Sequence, residues 1–173
     1  MKSILPKTRY LSVIILAVLT LASCSKSAPP DSSSKLPKEA QSFVLEVHKT
    51  PTCGCCGDWV KHLEENGFDT KVSDHRSLKA IKNKLNIHPD LQSCHTGVSP
   101  EGFFFEGHIP SKYIAQFLAN PPEDVAGLSV PGMPVGSPGM KMGDRFSPYE
   151  ILLVKQDGRT EVFAKIGTYE EQF

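Results

Sequence analysis

The sequence predicts one mixed α/β domain over residues 42–173, and three observations lead to this prediction. Apolar residues alternate at strand spacing in several short segments. Between those segments they recur at the three- and four-residue spacing of amphipathic helices. Gly, Pro and Asn stand at the ends of the segments, as expected where elements stop. A stretch of this length is enough for one compact domain with a modest core.

The first predicted strand is FVLEVH, residues 43–48, whose apolar side chains alternate. The first helix begins near Cys56 and closes at Asn66-Gly67, a pair suited to a left-handed cap. Its buried stripe is predicted to consist of Cys56, Trp59, Val60 and Leu63. A short strand follows over residues 68–72.

Ser77 is predicted to cap a second helix that ends near Asn86. Its buried face is predicted to hold Leu78, Ile81 and Leu85. Two strands, residues 94–98 and 102–106, come next and are joined by a Ser-Pro-Glu-Gly turn.

A third helix is predicted over residues 111–119, where Asn-Pro-Pro stops it. At the C-terminus, EILLVK and EVFAKI flank an Asp157-Gly158 pair, which is a strong signal for a tight β-hairpin. Between the helix and the hairpin, residues 121–148 are rich in Gly, Pro and Met. They are predicted to form a loop, too long to be a mere connector.

The predicted order strand, helix, strand, helix, strand, strand, helix resembles the thioredoxin fold, which carries a CxxC sequence where Cys53 to Cys56 stand. In that fold the third strand is antiparallel to the first and the fourth is antiparallel to the third. The start of the third and the end of the fourth therefore lie at the edge where the first strand delivers its cysteines. We expect four thiols and two imidazoles to converge there: Cys53, Cys55, Cys56, Cys94, His95 and His108.

The spacing of the cysteines favours a soft metal. Thiolates at a helix N-terminus have lowered pKa values, so they are nucleophilic or ready to bind metal near neutral pH. A third thiol, Cys55, would scramble a clean Cys53–Cys56 dithiol switch. Extra thiolates instead raise the affinity for Cu(I), with zinc as the chief competitor. Two alternatives stay open: a structural disulfide with one spare buried cysteine, and a structural zinc site.

The segment VPGMPVGSPGMKMGD, residues 130–144, is here called the methionine loop. It holds every methionine except Met1: Met133, Met140 and Met142. Thioethers bind Cu(I) well and zinc poorly, so these residues are predicted to be further copper ligands. The alternative is that they dock the loop on the domain surface. The remaining histidines are predicted to be ordinary surface residues rather than ligands: His48, His62, His75 and His88. For His48, which stands at a strand end close to the site, the alternative is a supporting role beside the ligands.

Residues 1–24 are predicted to be a targeting segment. A basic start and a short apolar run, residues 11–21, lead to the sequence LASC, which resembles the lipobox of bacterial lipoproteins. Cys24 is then predicted to be lipidated and to anchor the chain to a membrane. An ordinary signal peptide, or a transmembrane anchor with an incidental cysteine, is the alternative. Residues 25–41, polar and rich in Ser, Pro and Lys, are predicted to be a flexible tether.

The charge balance gives no sign of a nucleic-acid partner. Removing Lys2, Lys7 and Arg9 with the targeting segment leaves 16 basic and 19 acidic residues, a net charge of −3. The domain is predicted to lie outside the cytoplasm, where disulfides persist, yet four of the five cysteines belong to it.

Four motifs in this order, TPTCGCCGDWVKHLEENGF, SCHTGV, EGHIP and GLSVPGMPVGSPGM, resemble the CopG-type periplasmic copper-resistance proteins, a family long filed as a domain of unknown function. The likeness runs from about Phe43 to Phe163. It implies a thioredoxin-like fold and interconversion of Cu(I) and Cu(II). It also implies an association with copper-efflux and copper-tolerance systems. The copper site that it implies comprises Cys53, Cys55, Cys56 and Cys94, extended to His95, His108 and the loop methionines.

The sequence thus predicts a lipid-anchored, periplasm-facing copper protein, a copper oxidoreductase if its site is redox-active, with copper-efflux or electron-transfer proteins as partners. Two alternatives come from other classes. A thiol–disulfide oxidoreductase would use Cys53 as the attacking thiol and Cys56 as the resolving thiol. A copper chaperone or sequestering protein would bind and transfer Cu(I) without redox turnover.

Overall fold

The computed structural model describes residues 43–173. The predicted targeting segment, the lipidation of Cys24 and the tether of residues 25–41 therefore lie outside the described residues. Within residues 43–173, no helix has the length and apolar character needed to cross a membrane.

The described chain forms seven strands and three α-helices in the order β1, α1, β2, α2, β3, β4, α3, β5, β6, β7, with two short 3-10 turns. The α-helices are α1 Gly54–Glu65, α2 Lys79–Lys84 and α3 Ser111–Ala119. The strands are β1 Phe43–Lys49, β2 Phe68–Asp74, β3 Thr96–Val98, β4 Phe104–Glu106, β5 Val125–Ser129, β6 Tyr149–Lys155 and β7 Thr160–Ile166. The 3-10 turns are Pro89–Leu91 and Glu170–Gln172.

All seven strands belong to one sheet in the order β2-β1-β3-β4-β5-β6-β7. Strand β1 is parallel to β2 and antiparallel to β3, and β3 is antiparallel to β4. Strand β5 adds in parallel to β4, and the C-terminal hairpin β6–β7 completes the sheet. The predicted thioredoxin-like α/β class is confirmed.

The two faces of the sheet are covered differently. On one face, Trp59 of α1 and Phe117 of α3 belong to a large apolar cluster with Leu45, Phe105 and Leu128 of the sheet. On the other face, a smaller cluster gathers apolar residues that follow α2 and sheet residues Phe104 and Val154. Because side chains alternate along a strand, Phe104 and Phe105 point to opposite faces.

Part of the predicted loop is a strand. Residues 121–148 contain β5, Val125–Ser129, whose sequence VAGLS does not alternate. Four of its five residues are buried, since β5 lies inside the sheet between β4 and β6, and a strand that is covered on both faces loses the alternating pattern. Gly127 lies so close to the backbone of Phe104 that a side chain there would collide with it. Apolar periodicity in the sequence therefore did not predict this strand.

Two strands are shorter than predicted, and one histidine is placed differently. Strand β3 begins at Thr96, so Cys94 and His95 precede it, and β4 begins at Phe104.

His62 is half-buried on α1, and its Nε2 atom accepts a hydrogen bond from the Ser111 N–H at the start of α3, at 3.0 Å. This bond requires an unprotonated Nε2, and burial lowers the pKa of His62 below its ordinary value of 6.5.

Acidification is expected to destabilise the domain through His62. Because its pKa is lower in the folded chain, the unfolded chain takes up the proton first. The free energy of unfolding therefore falls as the pH drops below 6.5 towards the lowered pKa. In urea denaturation from about pH 7 to about pH 5, His62→Gln should show a shallower decline than the unchanged chain. His88→Gln, at a side chain that is 65% exposed, is the control, and equal declines in all three would contradict this role.

Candidate metal centre

Three cysteines stand at the start of α1. Strand β1 ends at Lys49, and the N–H of Cys53 donates to the Thr50 carbonyl at 3.1 Å, forming the turn into the helix. Cys53 is the N-cap residue, and Cys55 and Cys56 lie in the first turn. No side chain caps this end of the helix, so its free N–H groups are available to stabilise negative charge on sulfur.

The fourth cysteine reaches this turn through the sheet. Cys94 lies two residues before β3, which is antiparallel to β1, so the chain enters β3 at the edge where β1 ends. Four sulfurs lie within 4.8 Å of one another and are here called the cysteine cluster: Cys53, Cys55, Cys56 and Cys94. Cys53 and Cys56 form a disulfide, whereas Cys55 and Cys94 are free thiols. The Sγ atoms of Cys53 and Cys55 are 3.5 Å apart.

Two fully buried histidines adjoin the cluster. The Sγ atom of Cys94 lies 3.3 Å from Nδ1 of His95 and 3.2 Å from Nε2 of His108. The Nδ1–H of His108 donates to the Pro138 carbonyl at 2.8 Å, which fixes the neutral tautomer with a lone pair on Nε2 facing the sulfur. Burial lowers the pKa of both imidazoles. Both histidines are therefore neutral near pH 7, the form that binds metals.

Burial, followed by the neighbouring Cys55, raises the pKa of the Cys94 thiol to about 11. In the absence of a cation, this thiol is therefore protonated at neutral pH. A bound cation takes the place of the proton and removes the cost of a buried thiolate. The arrangement is suited to a soft cation, because its donors are sulfur and imidazole nitrogen.

The methionine loop packs on residues 53–56 at the start of α1, here called the cysteine turn. Gly139 has a φ of +83°, and a Cβ there would come within 2.5 Å of the Cys55 carbonyl oxygen and 2.8 Å of the Trp59 backbone nitrogen. The hydroxyl of Ser93 donates to the Gly132 carbonyl, which ties the same loop to the residue before Cys94. The loop therefore covers the site from two sides.

The three methionines occupy different environments. Met140 follows Gly139 and is half-buried, whereas Met133 is 52% exposed and Met142 is 45% exposed. The Sδ atom of Met142 lies 3.8 Å from Nη2 of Arg145. Ligation of copper by these three residues stays a prediction.

Sequence reasoning missed several polar residues near the site. His48 is buried, not on the surface, and its Nδ1 lies 3.0 Å from Nε2 of His75. Lys82 and Glu106 form a buried ion pair. A glutamate at the end of the apolar run Phe103-Phe104-Phe105, directly before Gly-His, was the one local signal for this pair. Its lysine partner lies on a helix that was predicted to bury only apolar residues.

Comparisons with known proteins identify similar chains. Residues 91–140 match the model of a family described as a protein of unknown function, DUF411. A solved structure described as copper resistance protein copG, form 1, is 41% identical, with a TM-score of 0.69, over 74% of this chain and 100% of that chain. A second structure of a copper resistance protein copG, form 2, is 40% identical, with a TM-score of 0.69, over 73% of this chain and 99% of that chain. A search of curated proteins found no match.

The contact between the methionine loop and the cysteine turn can be tested with two glycines. Gly139 and Gly143 both have positive φ angles, but only at Gly139 would a Cβ meet neighbouring atoms. Gly139→Ala should therefore lower the free energy of unfolding by at least about 1 kcal/mol more than Gly143→Ala. Urea denaturation of both variants measures the difference. Equal losses would mean that the loop does not press on the cysteine turn in solution.

Proposed function

The chain belongs to the CopG family of copper-resistance proteins, and from this membership we propose that it binds copper ions on the cysteine cluster. The observation that carries the proposal is the convergence of four sulfurs within 4.8 Å. One of them, on Cys94, comes from 38 positions beyond Cys56. Thiolates are soft ligands that favour Cu(I), and several of them in such proximity can bridge more than one ion. Copper is here the cargo of the protein.

The surrounding donors fit the same cargo. The imidazoles of His95 and His108 lie beside the Cys94 sulfur and are neutral, so each offers a nitrogen lone pair without first losing a proton. Imidazole tolerates Cu(II) as well as Cu(I), whereas thiolate stabilises Cu(I). This mixed donor set supports a redox role in which the site interconverts the two copper states.

Full use of the cluster requires reduction of the Cys53–Cys56 disulfide. Two electrons and two protons convert the disulfide to two thiols, and a cellular dithiol is the class of reductant that can supply them. Binding of copper to these thiols then releases their protons. The oxidised chain retains two free thiols, Cys55 and Cys94, and is expected to bind copper more weakly.

The place of the protein in the cell belongs to the same proposal. We propose that Cys24 carries a lipid and that residues 25–41 tether the domain on the periplasmic side of a membrane. Copper-efflux or electron-transfer proteins are the proposed partners. Copper bound there is kept from redox reactions elsewhere in the compartment.

A second function is favoured by one observation. The disulfide joins Cys53 and Cys56 of a CxxC sequence at a helix N-terminus, which is the arrangement of a thiol–disulfide oxidoreductase. The third thiol argues for copper, because Cys55 lies 3.5 Å from the Cys53 sulfur, where it would attack a mixed disulfide. The copper function therefore accounts for more of the site.

The proposed function is tested by anaerobic titration of the reduced chain with Cu(I), with zinc as competitor and bound metal counted per chain. We expect more than one copper per chain, retained against zinc. Weak copper binding together with turnover of disulfide substrates would instead establish the oxidoreductase.

One substitution separates the two functions. Loss of a contact that supports a metal ligand lowers metal affinity about 10- to 100-fold. Cys55→Ser removes a proposed ligand itself and should therefore weaken Cu(I) binding by more than this. A dithiol switch on Cys53 and Cys56 would keep its turnover in this variant. Cys24→Ser makes the same chemical change outside the cluster and should leave the copper count unchanged. Unchanged copper binding in Cys55→Ser would contradict the cluster.

A further inference from the structure

Beneath the metal centre lies an ion pair that the copper chemistry does not use. Lys82 of α2 contacts Glu106, the last residue of β4, and their side chains are 5% and 0% exposed. Removing two charges from water costs as much as their attraction commonly returns, so an apolar pair could serve stability equally well. The contacts of this pair indicate what else it does.

Both charges are directed at the backbone of Ser93, the residue before Cys94. The Ser93 N–H donates to Oε1 of Glu106 at 2.5 Å, and Nζ of Lys82 donates to the Ser93 carbonyl at 3.0 Å. The other carboxylate oxygen, Oε2 of Glu106, accepts from the Thr96 hydroxyl at 2.6 Å. The ion pair thus holds the chain on both sides of Cys94 and His95.

The other restraints on this segment come from outside the sheet ladder, and one of them is the hydrogen bond from the Ser93 hydroxyl to the Gly132 carbonyl. Residues 92–95 lie between the 3-10 turn Pro89–Leu91 and β3, so no ladder of sheet hydrogen bonds fixes them. The His95 carbonyl accepts from the Gly107 N–H at 3.1 Å. Glu106 is followed directly by Gly107, whose N–H binds the His95 carbonyl, and then by His108. The Glu106 carboxylate is therefore linked both to the segment that carries Cys94 and His95 and to the segment that carries His108.

The pair acts from the opposite face of the sheet. Glu106 pairs with Thr96 in the register of β3 and β4, whereas its neighbour Phe105 faces the cluster that contains Trp59. We propose that Lys82 and Glu106 are positioning residues, which hold Cys94 within reach of the other three sulfurs by clamping the backbone of Ser93. This inference rests on the proposed copper function for its purpose, but its geometry can be tested without metal.

The metal-free test uses two matched double variants. Lys82→Met/Glu106→Leu removes both charges and every acceptor for Ser93, whereas Lys82→Met/Glu106→Gln removes the charges but keeps an acceptor oxygen. Both are made in a chain in which Cys24, Cys53 and Cys56 are replaced by Ser, so that Cys55 and Cys94 remain as the one thiol pair. The measurement is the effective concentration of the Cys55–Cys94 disulfide against glutathione, which reports how closely the two thiols are held.

We expect the effective concentration to fall at least about tenfold in the leucine variant. In the glutamine variant, which keeps an acceptor for the Ser93 N–H but lacks the Lys82 donor to the Ser93 carbonyl, it should be at least about threefold higher than in the leucine variant. An unchanged value in a folded leucine variant would overturn the proposal. Lys155→Met/Glu161→Leu, which removes a partly exposed ion pair 3.6 Å long between β6 and the start of β7, is the control and should have no effect.

Hydrogen exchange of the unchanged chain keeps the proposal testable if the leucine variant does not fold. The Ser93 N–H should exchange at least about 100-fold more slowly than in an unfolded chain, and exchange at the unfolded rate would overturn the clamp. Cu(I) titration of the same two double variants, made in a chain that keeps all its cysteines, gives the functional result: affinity should fall in the leucine variant and be higher again in the glutamine variant. If the unchanged chain binds no copper, the proposed function fails, whereas the disulfide measurement still decides the positioning role.

Discussion

The candidate metal centre depends on the way in which Trp59 is buried. Its indole N–H donates to the Ile109 carbonyl at 2.8 Å, and its ring lies 4.2 Å from that of His95. A buried indole N–H without a partner would cost about 1–3 kcal/mol, so this bond fixes the rotation of α1 relative to the segment after β4. The ring also fills the space above Gly97, where a Cβ would come within 3.3 Å of it. The helix that carries Cys55 and Cys56, with Cys53 at its N-cap, is thereby held over the entrance to β3.

Burial explains why the Cys94 thiol and the imidazoles of His95 and His108 are in their neutral forms. The Cys94 thiol keeps its proton and neither imidazole is charged, while Cys53 and Cys56 are joined in a disulfide. Charges are costly in a site with little water, so thiolates there need a cation. A soft metal ion and an oxidant are then alternative ways to remove the protons of the same thiols. This competition links the copper function to the redox state of the cysteines.

Local signals in the sequence were enough for much of the fold. Strand β1, helices α1 and α3 and the C-terminal hairpin follow from periodicity, capping residues and the Asp157-Gly158 turn. Strand β5 escaped because it is covered on both faces and does not alternate. Lys82 escaped because a lysine on a short helix normally faces water, and only its contact with Glu106 accounts for its burial. The half-buried His62 escaped for the same reason, since its partner Ser111 belongs to another helix.

The sequence by itself determined the donors of the candidate site and their placement at a helix start. The first strand ends at Lys49 and the apolar stripe of α1 follows, so Cys55 and Cys56 fall in the first turn of the helix. Only the tertiary structure decided how near Cys94 comes, which two cysteines are joined and which histidines are buried. These are distances between segments far apart in the chain, and they depend on strand register and on the packing of Trp59. Local propensities do not contain that information. Bringing Cys94 back to Cys56, 38 positions away, is favourable only when the whole sheet and its core form together.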